Sequence, residues 1–196
     1  MACGPKLQPK PEWSPEMTAF VDGFRTSVIG NKPTQENQSG SHLLGTLARY
    51  PALAQPFLTF NRHLLSGTSL TARQRELLVL RVAHLRQCGY EWAQHVILGE
   101  RAGLTSEEIA RISGEPTAAQ WKPLDRAMLA AVDELLGDGI IADATWTALS
   151  GELTEDQLMD LVFTVGTYAM VAMTLRSFGI EPEEALRPYL PDQQKG

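Results

Sequence analysis

Cysteine is scarce in this chain of 196 residues, which contains only Cys3 and Cys88. The two lie far apart in the sequence, so neither a disulfide framework nor a zinc site of four cysteines is expected. Histidine is also rare, with four residues, and no His-Glu-x-x-His or second Glu-x-x-His motif accompanies them. We therefore expect no metal site.

Positive charge is in deficit, since 17 Lys and Arg stand against 23 Asp and Glu for a net charge of −6. A nucleic-acid partner is not expected, because its phosphates require a basic surface. Apolar runs are short, and those at 77–80 and 170–173 fall far below the ~20 residues that cross a bilayer. The N-terminus also lacks the apolar segment of a signal peptide. We expect a cytoplasmic protein with no membrane partner.

Motifs that bind phosphate or build a serine nucleophile are missing as well. The sequence contains neither a P-loop nor a Gly-x-Ser-x-Gly elbow. Residues 137–142 fit a loose dinucleotide fingerprint, but they follow a helical pattern rather than a strand, which is typical of a helix C-terminus. No cofactor is expected, so any chemistry would come from side chains.

Strand patterns are absent, and helical patterns fill the chain. Ser14-Pro15-Glu16 is typical of a helix start. Capping boxes at 71–74, 105–108 and 154–157 predict three further starts. The fold class is therefore predicted to be all-α.

The composition along the chain predicts one domain with two short extensions. Residues 1–13 are rich in proline and polar side chains, and we interpret them as an N-terminal arm. A single all-α domain is predicted over 14–187, followed by a C-terminal tail over 188–196. Residues 30–41 form a long polar stretch, which we interpret as a lid or a binding loop.

One pattern occurs twice. The order Leu-Thr-x-x-Gln-x-x-x-Leu-Val-x-x-Val fills residues 70–82 and again 153–165. A Gly-apolar-x-x-Glu-Glu element follows each copy, beginning at Gly103 and at Gly179, and the second copy is seven residues shorter between these parts. The pattern predicts an internal helical repeat. Only the first copy contains a cysteine and histidines.

Four residues of the first copy are candidate catalytic residues: Glu76, Cys88, Glu91 and His95. The spacings of three and four residues from Cys88 to Glu91 and from Glu91 to His95 place these three on one helix face. Glu76 reaches that face if the two helices pack antiparallel. Histidine ordinarily changes charge near neutral pH, and a neighbouring carboxylate fixes its tautomer and raises its basicity. A thiol at a helix N-terminus is expected to have a lowered pKa.

Structural interpretations of the same residues remain open. A buried cysteine is usually a small apolar side chain, and a Glu-x-x-x-His pair is usually a contact on a helix surface. Trp92 and Tyr168 are candidate substrate-binding residues, although Tyr168 also suits core packing.

The stretch 70–109 resembles the carboxymuconolactone decarboxylase and alkylhydroperoxidase D-like family. The twelve-residue step from Glu76 to Cys88 and the seven-residue step to His95 are those of the family. The resemblance is carried by Leu70, Thr71, Glu76, Cys88, Glu91, His95 and the segment 103–109. It implies an alkylhydroperoxidase D-like helical bundle built from a repeated helical unit. It also implies a small-molecule substrate and a homotrimer or homohexamer.

The two branches of the family differ at one position. The peroxidase branch is similar to Cys-x-x-Cys-x-x-x-His, whereas this chain has Glu91 in place of the second cysteine. The decarboxylase branch has Glu-x-x-x-His, which Glu91 and His95 match, and does not require Cys88.

Three functions are therefore in competition. In the first, a cofactor-free enzyme moves protons on a small acid, lactone or carbonyl compound by decarboxylation, elimination or isomerisation. His95 is then the general acid and base, and Glu91 and Glu76 hold it or move a proton themselves. In the second, Cys88 reduces peroxides or handles thiols. In the third, the chain is a helical binding protein without catalysis.

Overall fold

The computed structural model describes residues 6–29, 40–114 and 120–191, and all regular structure within these ranges is helical, which confirms the all-α class. A π-helical turn, His63–Gly67, extends the third helix, and a 3₁₀ helix, Glu184–Tyr189, lies near the end. The α-helices are α1 (Pro15–Ile29), α2 (Ser41–Leu47), α3 (Pro51–Arg62), α4 (Ala72–Leu85), α5 (Gly89–Arg101), α6 (Ser106–Ile112), α7 (Pro123–Gly137), α8 (Asp143–Ser150) and α9 (Glu155–Phe178).

The predicted capping boxes are confirmed at the starts of α4, α6 and α9. In each, the side chain of the N-cap threonine, Thr71, Thr105 or Thr154, accepts a hydrogen bond from a backbone N–H three residues later. The N3 side chain accepts a bond from the N-cap N–H in return, so two otherwise unpaired donors are satisfied. These local signals fix where the site-bearing helices begin.

The two copies of the repeated pattern share their ends but differ between them. Both begin with a capping box, and both end at a glycine with positive φ, Gly103 and Gly179. The first copy turns between α4 and α5, where Gln87 has a φ of 51°, whereas α9 runs unbroken for 24 residues. The second copy is shorter and has no residues for a turn.

Helix α4 is the centre of the main core, and every residue from Glu76 to Ala83 is buried. Gly99 allows α5 to pack closely against it, because a Cβ there would lie 3.3 Å from Leu80 Cδ1. The guanidinium of Arg81 is buried and is paired with Asp133 at 2.6 Å. Fully burying one large apolar side chain stabilises a fold by about 1.5–3 kcal/mol, so α4 is a firmly held platform for Glu76.

The N-terminal helices α1, α2 and α3 form a second cluster of their own. The described part of the predicted arm lies against the domain. The backbone N–H groups of Lys6 and Leu7 donate to the carbonyl of Phe178, and that of Lys10 donates to the carbonyl of Gly45. Most of the predicted 30–41 loop lies outside the described residues.

Helix α9 is long and apolar enough to cross a membrane, judged by length and composition alone. In the fold, 61% of its most apolar window is buried among the other helices. The short apolar runs of the sequence did not indicate this helix, because single polar residues interrupt them. Core packing accounts for most of its apolar character.

Candidate active site

A cavity of about 170 Å³ lies between the N-terminal helices and the pair α5 and α9. Its walls are largely apolar, with Phe24, Phe57 and Val171 among the lining side chains. An engineered cavity of about 150 Å³ holds one benzene molecule. This cavity therefore suits a ligand of about one ring with small substituents.

The predicted contact between Glu76 and His95 is present at the cavity wall. Helix α4 supplies Glu76 and helix α5 supplies His95, and the imidazole Nδ1 lies 2.6 Å from Glu76 Oε2. Both side chains are buried. Nε2 of His95 has no hydrogen-bond partner within the described ranges, so it is the ring nitrogen left for a ligand.

Arg75 completes this arrangement, although no sequence signal indicated it. Its Nε donates to Glu76 Oε1 at 2.8 Å, and its Nη1 donates to the carbonyl of Leu65 at 2.7 Å. Leu65 belongs to the π-helical turn after α3. Burial raises the pKa of Glu76, but the charges and hydrogen bonds of His95 and Arg75 outweigh it, so the net pKa is lowered. Glu76 is therefore an ionised carboxylate that orients the imidazole.

Glu91 also lines the cavity, but its carboxyl has surroundings opposite to those of Glu76. Neither oxygen of its buried carboxyl has a hydrogen-bond partner among the residues that the structure describes. Burial raises its pKa well above the ordinary value, because an unpaired charge is costly away from water. The site therefore favours the neutral, protonated form of Glu91, which can donate a proton. Of the two glutamates expected to hold His95, only Glu76 contacts it.

Tyr168 of α9 packs edge-on against His95, with ring centroids 5.0 Å apart. Burial, together with the negative charge of Glu76, raises the pKa of Tyr168 well above its usual range, so its hydroxyl keeps its proton. The ring lines the cavity, as its candidate substrate-binding role requires.

Cys88 lies elsewhere, and the expectation of a lowered thiol pKa is wrong. It is only 2% exposed, packs with Ala172, Leu175 and Ile180, and adjoins a separate hollow rather than the cavity. Burial, and then the neighbouring Glu91, raise the thiol pKa to about 12. The residue is the N-cap of α5 with a φ of −100° and a ψ of 88°, so helical spacing does not place its side chain.

Trp92, the other candidate substrate-binding residue, is not among the side chains that line this cavity. It is half-buried and packs against the main core, with its ring edge-on to that of His84 at 6.2 Å. One residue along a helix rotates a side chain by about 100°. Trp92 therefore points away from the wall that Glu91 lines.

Two further polar side chains line the cavity and were not indicated by the sequence. Arg25 comes from α1 and Asn61 from α3. Arg25 Nε and Asn61 Oδ1 are buried, and neither has a hydrogen-bond partner in the described part of the chain. Burial lowers the pKa of Arg25 and outweighs the charges of Asp22 and Glu183, which raise it, so the net pKa is lowered. Arg25 and Asn61 are both distant in the sequence from α5, so no local pattern indicated that they line the cavity.

Among the described residues, no three His, Cys, Asp or Glu side chains lie close enough together to bind a metal ion. The acids and bases of the cavity instead form an arrangement for moving protons. The ionised carboxylate of Glu76 contacts His95, and the carboxyl of Glu91 lies one turn before His95 on α5.

Comparison with known proteins finds one matching family model. Residues 51–134 match the model of the carboxymuconolactone decarboxylase family. The match agrees with the family that the resemblance predicted. The matched segment contains α4 and α5 with Glu76, Cys88, Glu91 and His95. No curated protein matches the chain.

Solved structures share the fold at low sequence identity. A peroxidase-related protein from Silicibacter sp. TM1040 matches with a TM-score of 0.73 and 15% identity, over 95% of this chain and 97% of its own. The alkylhydroperoxidase AhpD core from Ralstonia eutropha JMP134 matches with 0.70 and 19%, over 92% and 94%. The debrominase Bmp8 matches with 0.72 and 14%, over 93% and 95%. The likeness confirms the alkylhydroperoxidase D-like helical fold.

Proposed function

We propose that this chain is a cofactor-free enzyme that transfers protons on a small organic acid, lactone or carbonyl compound. Decarboxylation or isomerisation of the carboxymuconolactone decarboxylase kind is the reaction class. One observation carries the proposal: the cavity holds His95, bound to an ionised Glu76, beside the unpaired neutral carboxyl of Glu91. The two carboxyl groups have pKa values shifted in opposite directions, and such pairs supply the acid and base roles of proton-transfer chemistry.

The roles follow from the hydrogen bonds. Glu76 holds Nδ1 of His95 and stabilises the charge that the ring acquires when Nε2 accepts a proton from the substrate. Glu91 donates a hydrogen bond, and then its proton, to the oxygen or carbon on which negative charge develops. The apolar walls exclude water and so strengthen both interactions.

The substrate class follows from size and charge. A volume of about 170 Å³ admits about one ring, and most of the wall is apolar. Arg25 offers a guanidinium nitrogen that makes no hydrogen bond within the described ranges, and guanidinium groups recognise carboxylates. A ring or short chain with one carboxylate matches these features.

A peroxidase or thiol function of Cys88 is the second candidate. Two of the similar structures are named as peroxidase-related proteins, and Cys88 lies within the matched family segment. Its burial and its pKa of about 12 count against a reactive thiolate. Such a thiol would form a sulfenic acid and would need an external thiol to restore it.

The direct test is a substrate panel in D₂O followed by NMR. The panel contains carboxymuconolactone-like acids and small enolisable keto acids, with cumene hydroperoxide and dithiothreitol as the thiol arm. We expect turnover or deuterium incorporation with an acid, and no hydroperoxide consumption above the reductant alone. Hydroperoxide consumption without any turnover of acids would favour Cys88. Saturable ligand binding without turnover in either arm would favour the non-catalytic binding protein.

Arg25 is tested by the variant Arg25→Met, with the exposed Arg62→Met as its matched control. We expect a KM for the acid that rises by about tenfold or more, because a charge-assisted hydrogen bond is lost. The KM for the corresponding methyl ester should change little. An equal change for acid and ester would contradict carboxylate recognition by Arg25.

A further inference from the structure

The outward face of α9 is apolar, although its other faces belong to the core. Five large apolar side chains on this face are between 38% and 60% exposed. Contiguous exposed apolar surface on a soluble chain usually marks an interaction site. The side chains are Met159, Val162, Phe163, Met170 and Met173, and we call them, together with Gly166, the α9 face.

Gly166 is at the middle of the α9 face and is not required by the fold of this chain. A Cβ added there would meet no atom within 4 Å. Glycine in a helix interior is about 1 kcal/mol less favourable than alanine. Glycine is expected at such a position when another backbone must approach closely. The residue therefore indicates a close helix contact from outside the chain.

The exposed positions of α9 are symmetric about Gly166. Met159 and Met173 lie seven residues on either side of it, and Val162 and Met170 lie four residues on either side. All four are exposed. An antiparallel copy of the same helix, related by a twofold axis that passes between the two copies of Gly166, would therefore bring apolar positions opposite apolar positions.

The charges at the two ends obey the same symmetry. Asp156 and Arg176 are exposed and lie ten residues on either side of Gly166. In an antiparallel pair, Asp156 would lie level with Arg176 of the partner subunit at the margin of the contact, and the same pairing would occur at the other end. In a parallel pair, each charge would face its own kind, which is unfavourable. Charge complementarity thus favours the antiparallel pair.

We propose that the α9 face binds the α9 face of a second copy of this chain, with the two helices antiparallel and crossing at Gly166. Such a contact is isologous, since the same residues serve both subunits. Phe60 of α3 is 40% exposed and packs edge-on against Phe163 at 6.1 Å, so it extends the apolar surface beyond α9. The helix pair and this flank form one continuous contact.

A membrane surface fits the α9 face less well. Amphipathic helices that lie on membranes carry Lys and Arg along their polar margin, whereas this chain has a net charge of −6. A membrane also has no need of the symmetry about Gly166. Of the assemblies expected from the sequence, a hexamer with dihedral symmetry contains twofold axes and a cyclic trimer does not.

Sedimentation velocity of the full chain tests the contact. We expect a dimer, or a larger even assembly, at micromolar concentration. Gly166→Leu should weaken association by about thirtyfold or more, because a side chain at the crossing separates the helices. Gly23→Leu is the matched control, because Gly23 is another exposed helical glycine with open space at its Cβ. It should leave the assembly unchanged.

Both variants replace glycine within a helix, so circular dichroism should show undiminished helix content. A wild-type monomer would overturn the proposal. So would a trimer, or an assembly that Gly166→Leu leaves intact. Vesicle binding by wild-type protein that Gly166→Leu abolishes, without self-association in solution, would assign the face to a membrane instead.

Cysteine crosslinking determines the direction of the helices, in a background of Cys3→Ser and Cys88→Ser. Gly166→Cys should form a covalent dimer under mild oxidation, since facing Cα atoms must lie within about 7 Å. Met159→Cys together with Met173→Cys should crosslink as well. Met159→Cys alone should not, because its two copies would lie about 21 Å apart along the axes. Efficient crosslinking of Met159→Cys alone would indicate parallel helices and overturn the arrangement.

Charge reversal provides an independent check that does not alter the crossing. Asp156→Arg and Arg176→Asp should each weaken association, because each places like charges in contact across the axis. Arg176 also donates to the carbonyl of Arg86 at 2.8 Å, so the double variant is needed to separate the two roles. The double reversal should restore association toward the wild-type value. Failure to restore it would contradict the predicted pairing.

Discussion

Glu91 and Cys88 are both weak acids in or beside the first turn of α5, but their surroundings differ. On one side, Glu91 lines the cavity beside His95. On the other, Cys88 is enclosed by apolar side chains and adjoins a different hollow. Burial raises the pKa of both groups, so the protonated form of each is favoured. Only Glu91 lines the same cavity as His95. A ligand in the cavity can therefore reach the carboxyl of Glu91 but not the thiol of Cys88.

The comparison shows that position relative to a helix start decides the environment. Glu91 has helical geometry and therefore shares a face with His95 four residues later. Cys88 is the N-cap, and its non-helical ψ of 88° directs the side chain away from that face. A spacing of three residues thus gives no common face at this point.

Removing the base should give the largest effect. His95→Ala should lower turnover of the acid substrate by ~10²–10⁴-fold, the usual contribution of general acid and base catalysis. His84→Ala is a matched control, since His84 packs against Trp92 outside the cavity. Steady-state kinetics checks both variants. Equal losses of activity in the two variants would contradict the role of His95 as the catalytic base.

Removing the proton of Glu91 should give the next largest effect. Glu91→Gln keeps the shape and should lower kcat by about tenfold or more. Wild-type activity should also fall as pH rises through the raised pKa of Glu91, because the donor is then lost. The pH–rate profile of Glu91→Gln should lack this limb. The exposed Glu100→Gln should retain it.

Stability should respond to pH with opposite signs at the two glutamates. Glu91 has a raised pKa in the fold, so the folded chain binds more protons and stability falls as pH rises above about 4.5. Glu76 has a lowered pKa, so it contributes stability above that pH, which is lost as pH falls through the folded value.

Thermal melts of the two variants check this contrast. Relative to wild type, Glu91→Gln should gain in Tm as pH rises and Glu76→Gln should gain as pH falls. A tenfold difference in proton affinity between the folded and unfolded chains corresponds to roughly 3–5 °C in Tm for a protein of this size. Parallel pH dependences for both variants would contradict the opposite charge states of the two carboxyl groups.

The smallest effect is expected at Cys88. Cys88→Ser should keep acid turnover within about tenfold, because serine is nearly isosteric and the thiol lies outside the cavity. In a Cys3→Ser background, iodoacetamide should alkylate Cys88 slowly near neutral pH, since little thiolate exists with a pKa of about 12. Mass spectrometry measures this rate. Rapid alkylation would show a reactive thiol.

Much of the fold could be predicted from local sequence signals. The capping boxes at Thr71 and Thr154 act within four residues, so their patterns fix helix starts without tertiary information. The contact of Glu76 with His95 also follows from the pattern, because it needs only two neighbouring antiparallel helices.

The rest of the site depends on contacts that no local pattern encodes. Arg75 reaches Glu76 although adjacent helix residues do not face each other, and its position depends on the carbonyl of Leu65 in the π-helical turn. Arg25 enters from a helix distant in the sequence. The thiol pKa of Cys88 was predicted in the wrong direction, because desolvation by Leu175 and its neighbours exceeds the effect of the helix dipole.

If the proposed mechanism is right, turnover depends on His95 and not on Cys88, and two variants distinguish these residues. The residual kcat/KM of His95→Ala and of Cys88→Ser is measured on the same carboxymuconolactone-like acid, with hydroperoxide consumption followed in parallel. We predict that Cys88→Ser retains activity within about tenfold while His95→Ala loses ~10²–10⁴-fold. Loss of all turnover in Cys88→Ser, with His95→Ala only mildly impaired, would contradict the proposal and assign the chemistry to the thiol.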